Sequence, residues 1–124
     1  MIALTKQDNQ FYLVMHARDG EDSTIFGNLI DQQPATEHER IPVSGPVVKL
    51  KAFGNFENNL DECSFAYFNG TEWRDIGIVH KMIYKLDHFM GCRTGLFVYS
   101  TQMVGGTADF SNFEYCVINP EEKQ

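Results

Sequence analysis

Three sets of side chains in this sequence have chemistry to offer: acidic residues, cysteines and a lone aspartate in a glycine-rich C-terminal stretch. Asp61, Glu62 and Asp75 are the acidic residues considered for acid/base work. A glycosidase needs two carboxyl groups facing each other across a cleft at roughly 5 to 9.5 Å. These three lie in or near turns, where solvated carboxylates are ordinary, so a catalytic pair is not expected. Asp109 is the candidate metal ligand, since calcium prefers hard oxygen donors. Turn capping or hydrogen bonding is the plainer role for it, and no other cofactor is expected. Cys63, Cys92 and Cys116 form an odd set without C-x-x-C spacing, and His80 and His88 make no zinc pattern with them. Reduced, buried core thiols are the expectation. No nucleophile elbow or phosphate-binding glycine loop is present.

The scaffold for these residues is bounded by length and composition. A chain of 124 residues, 43% hydrophobic and 13% aromatic, has the size of one domain and enough apolar mass for a packed core, so residues 1–124 are expected to form a single domain. The formal charge of −7 repels polyphosphate and anionic lipid, which argues against nucleic-acid and membrane partners. No apolar run reaches spanning length, and Met1 to Lys6 resembles no secretory leader, so a cytoplasmic location is expected.

Turn signals separate short stretches rich in Phe, Tyr, Val and Ile, a composition that favours strands over helices. Phe11 to Ala17 alternates, with Phe11, Leu13, Met15 and Ala17 on the expected inward face. Ser23 to Ile30 reads as a strand, and Asp31 to Arg40 as a loop without core residues. Val47 to Phe53 reads as a half-exposed strand. Glu62 to Phe68 and Thr71 to Val79 flank Asn69-Gly70, which suits a two-residue type I′ turn and predicts an antiparallel hairpin. Because the hairpin accounts for it, the formal glycosylation sequon Asn69-Gly70-Thr71 is set aside. Lys81 to Met90 is irregular or a short strand. Arg93 to Ser100 and Ala108 to Ile118 read as further strands, the second with a bulge near Phe110 to Phe113. Roughly eight strands at regular spacing, with no convincing amphipathic helix, make the pattern of an all-β sandwich or barrel.

Three stretches carry a family resemblance. They are Asn9-Gln10-Phe11-Tyr12-Leu13, then Phe68-Asn69-Gly70-Thr71-Glu72-Trp73 with Ile76-Gly77, then His88 to Phe97 through Gly105-Gly106-Thr107-Ala108-Asp109-Phe110-Ser111-Asn112-Phe113. In order and spacing they resemble the C-terminal concanavalin A-like domain of family 43 glycoside hydrolases, the β-xylosidase C-terminal domain. Asn69 stands where the family has Asp, Ser111 replaces the second Asp of its C-terminal motif, and Asn112 replaces Tyr. The resemblance implies an antiparallel β-sandwich, a concanavalin A-like jelly roll, and the plain physical role of Trp73, Phe97, Phe110 and Phe113 is packing in the core between sheets. It also implies that the first strands of the usual domain are absent before Ile2 to Leu4. In the family the catalytic carboxylates lie on a separate five-bladed propeller, and a loop aromatic at the place of Phe89 approaches that propeller's sugar site. Phe89 is therefore the candidate contact to carbohydrate or partner, with ordinary loop packing as the alternative.

The resulting expectation is a non-catalytic accessory or carbohydrate-interaction module, not an enzyme. Its partners would be xylo- or arabino-oligosaccharides or a glycoside hydrolase propeller. A stand-alone carbohydrate-binding module is the alternative, and a small glycosidase a lesser one. Missing first strands would leave open sheet edges, so a homodimer is expected, unless the Asp31 to Arg40 loop or the termini fold over them.

Overall fold

The computed structural model describes residues 1–18, 35–82 and 94–118, in two compact units, Met1–Gly91 and Cys92–Gln124. Ser23 to Ile30, Arg93 and nearly all of Lys81 to Met90 lie outside the described residues. In the first unit the strands are β1 (Ile2–Gln7), β2 (Gln10–Ala17), β3 (Thr36–Val43), β4 (Leu50–Asn55), β5 (Glu62–Phe68) and β6 (Trp73–Lys81). They form two antiparallel three-stranded sheets, ordered β1-β2-β3 and β4-β5-β6.

The first sheet begins with a tight hairpin. Gln7 pairs with Gln10, and the two residues between them, Asp8 and Asn9, have φ of 51° and 63°. Positive φ at both central positions matches the right-handed twist of the flanking strands, and Asp and Asn are the side chains that tolerate it best after glycine. The alternation expected for β2 holds: Leu13 and Met15 are fully buried and Ala17 nearly so. Beside it, Thr36–Val43 is a strand, which corrects the expected loop from Asp31 to Arg40 over its residues 36–40, while residues 31–34 lie outside the described residues. Ile41 lies opposite Leu13 and Val43 opposite Phe11, and Ile41 and Val43 both pack on the core. Pro42 is tolerated because β3 is an edge strand.

In the second sheet β5 and β6 form the antiparallel hairpin predicted, but its turn is longer. Phe68 pairs with Trp73, leaving the four residues Asn69 to Glu72 as the loop. The Asn69 N–H donates to the Glu72 carbonyl at 3.0 Å. The Asn69 Oδ1 accepts from the N–H groups of Thr71 at 2.9 Å and Glu72 at 2.8 Å. The side chain thus stands in for a backbone turn, and only Gly70, at φ 100°, needs the left-handed region. The fourth strand is Leu50–Asn55, shifted from the expected Val47 to Phe53.

The inner faces of the two sheets meet over Leu13, Met15, Ala17 and Ile76. Ile2, Leu4, Ile41 and Val43 extend this core from the first sheet, Phe65 and Tyr67 from the second, and Val48 from the segment before β4. The unit is an all-β sandwich, and among the described residues there is no α-helix, only a 3-10 turn at Glu57–Asn59.

In the second unit, residues 94–118 include no strand, which corrects the expected strands Arg93 to Ser100 and Ala108 to Ile118 over their described parts. Alternating apolar residues favour extended backbone, but a strand exists only as a member of a hydrogen-bonded ladder. Phe97 stacks on Tyr99 at 5.7 Å, and the Ser100 hydroxyl donates to the Gly105 carbonyl at 2.8 Å. Gly105 and Gly106 turn the chain there at φ 120° and 100°.

Candidate functional site

The parity of β6 decides where the aromatic residues go. Ile76 points into the core, so Arg74 shares its face while Trp73 and Asp75 fall on the opposite, outer face of the sheet. Trp73 is accordingly 43% exposed, which corrects its expected place between the sheets. Phe97, Phe110 and Phe113, expected in the core too, are exposed, because their segment belongs to no sheet among the described residues. The expected burial of the thiols is corrected for Cys116, exposed on that same segment, and for Cys63, half-buried, while Cys92 lies outside the described residues.

On the outer face of the second sheet, Phe68 and Trp73 lie side by side, ring centroids 5.7 Å apart and planes inclined by 59°. The Lys51 ammonium stands 4.3 Å from the centre of the Trp73 ring, and that of Lys49 stands 5.3 Å from the Phe68 ring. The Phe68 N–H donates to the Lys49 carbonyl at 3.1 Å, which brings Lys49 beside Phe68. Lys51 lies in the next row, opposite Ala66, whose other neighbour is Asp75. Glu72, at the turn, is held by Arg74 at 3.1 Å.

The outer face of the first sheet carries a polar network over Tyr12 and the buried Val14. Arg40 grips Glu37 with two hydrogen bonds, Nε to Oε1 at 2.7 Å and Nη2 to Oε2 at 2.9 Å. It also donates from Nη1 to Gln7 Oε1 at 3.2 Å and lies 5.0 Å from the centre of the Tyr12 ring. His16 Nε2 meets Glu37 Oε2 at 3.1 Å. The hydrogen bonds from Arg40, then from His16, hold the Glu37 carboxyl down at about 2. Neither cluster was foreseen: β3 was hidden by its charged residues, and Lys49 and Lys51 read only as a solvated strand face.

The residues singled out in the sequence are not brought together. Glu62 and Asp75 share the outer face of the second sheet, but Asp75 lies opposite Ala66, four residues along β5 from Glu62. That places their backbones about 13 Å apart along the strand. Asp61 occupies the bend before β5 at φ 47°. Among the described residues no three His, Cys, Asp or Glu side chains gather as metal ligands, and Asp109 is exposed. Phe89 lies outside the described residues.

Two packed antiparallel sheets define an all-β sandwich module. The chain belongs to the family of β-xylosidase C-terminal concanavalin A-like domains, whose sequence model matches residues 1–116. Comparison with curated proteins and with solved structures returned no match.

Proposed function

We propose that the protein is a non-catalytic accessory module of carbohydrate-active machinery that engages xylo- or arabino-oligosaccharides, or the propeller of a family 43 glycoside hydrolase. The observation that carries this reading is the family match over residues 1–116. Calorimetric titration with xylo- and arabino-oligosaccharides, and co-elution with a purified family 43 propeller, test the two modes of engagement; at least one is expected. Aryl xylosides and arabinosides should remain intact with the chain alone. Turnover that follows the protein through purification and disappears in Glu62→Gln or Asp75→Asn would overturn the reading, as would failure of both engagements.

A further inference from the structure

The outer face of the second sheet combines two features that fit one ligand chemistry. The first is the pair of neighbouring rings, Phe68 and the exposed Trp73, to which the C–H face of a pyranose adheres. The second is the pair of ammonium groups at their margins, Lys49 and Lys51, 5.3 and 4.3 Å from the ring centres. Among the described residues neither lysine has an ion-pair partner, in a chain whose formal charge is −7. Cation–π attraction at an exposed site is weak, so an arriving carboxylate draws either ammonium away from its ring into a charge-assisted hydrogen bond.

We propose that Lys49, Lys51, Phe68 and Trp73 form a binding site for an oligosaccharide carrying a uronate group. The proposal rests on the carbohydrate reading above and narrows it to an anionic sugar. A neutral sugar would use the rings and leave the lysines idle. Nucleic acid would need a longer basic track than two ammonium groups on an acidic chain. Asp75 gives the site a direction: it lies on the same face, two strand spacings or about 10 Å from Lys51. The uronate carboxylate therefore belongs at the β4 side, and sugar hydroxyls donate toward Asp75.

Trp73 is the single tryptophan of the chain, so its fluorescence reports on this site alone. The full chain is titrated with xylotriose bearing one glucuronate, with unsubstituted xylotetraose, and with a short glutamate peptide, following both fluorescence and heat. Saturable fluorescence change with the glucuronate compound alone is expected, weakened by added salt. The Lys49→Ala/Lys51→Ala variant, its circular dichroism unchanged, should bind about tenfold or more weakly. An equal response to xylotetraose overturns the uronate assignment while the carbohydrate reading stands. An equal response to the glutamate peptide overturns the sugar. Heat of glucuronate binding without change in Trp73 fluorescence, or undiminished in the lysine variant, overturns the location. No response to any probe overturns the inference, and propeller co-elution then decides separately whether the accessory-module reading survives.

Discussion

Gly77 shows how much a single position in this fold carries. It lies in β6 next to the buried Ile76, at φ 77°, and its N–H leaves the strand ladder to donate to Glu39 Oε2 of β3 at 2.6 Å. A Cβ added there would stand 2.5 Å from Cγ and 2.8 Å from Cβ of Met15, on β2 of the facing sheet. One residue thus ties β6 to both β2 and β3. The ladder accommodates it by a bulge: Cys63 to Phe65 of β5 spans the same length as Ile76 to His80 of β6. Gly77→Ala should cost about 2–4 kcal/mol, combining a left-handed backbone for alanine with overpacking against Met15. Urea unfolding of Gly77→Ala and of Gly77→Ala/Met15→Ala separates the two, each read against its own glycine-containing parent. The backbone part persists in the Met15→Ala background and the overpacking part does not. A loss under about 0.5 kcal/mol would show that β6 readjusts freely at this contact.

At the scale of elements, β3 is held by charge as well as by its ladder. The Glu37 carboxyl stands at about 2 when folded against an ordinary 4.5, chiefly through Arg40 and then His16. Because the folded value lies below the unfolded one, the stabilisation is fully present above about pH 4.5 and is lost as pH falls toward 2. The melting temperature of the protein should therefore converge on that of Glu37→Gln over this window. The difference should be small, since the pair is exposed, and should shrink further in salt. Melting curves that stay a constant distance apart from pH 6 to pH 2 would assign the network no role in stability. The same charges explain why β3 was illegible in the sequence. Thr36 to Arg40 holds no apolar residue, and Glu39, opposite the buried Met15, is a carboxylate that accepts from the N–H of Gly77, a partner distant in the chain. By contrast β2 carries Phe11, Leu13, Met15 and Ala17 at every second position, so its inner face was plain, and Val14 is buried on the other face as well. The β5–β6 hairpin was legible from Asn69-Gly70, but its turn type was not, because the Asn69 side chain supplies hydrogen bonds that a dipeptide rule does not anticipate. The type I′ geometry went instead to Asp8-Asn9, a pair without glycine.

At the scale of the whole molecule, strand propensity and strand formation part company. Residues 94–118 carry a strand-like sequence pattern, yet none of them belongs to a strand and Leu96, Val98, Phe110 and Val117 are exposed. Local sequence encodes the readiness to extend, and the partner that completes a ladder is not local information. The edges of the two sheets carry a related consequence. Pro42 and the register shift between β2 and β3 protect the β3 edge, and Lys49 and Lys51 place charge at β4. At β1 the charge is a single Lys6 beside the turn, and residues 2–5 are uncharged: Ile2–Gln7 pairs with β2 along one side, and among the described residues no strand joins the other. We expect two copies to associate through this edge, antiparallel about a two-fold axis, since a β1 to β1 contact is self-complementary. Light scattering should then give twice 14.2 kDa at micromolar concentration, with dissociation on dilution. Thr5→Lys, which places like charges across such an edge, should shift the mass back toward a single chain without altering the circular dichroism. A mass of one chain at every concentration would mean that the β1 edge is covered within the molecule. A dimer indifferent to Thr5→Lys would move the interface to another surface.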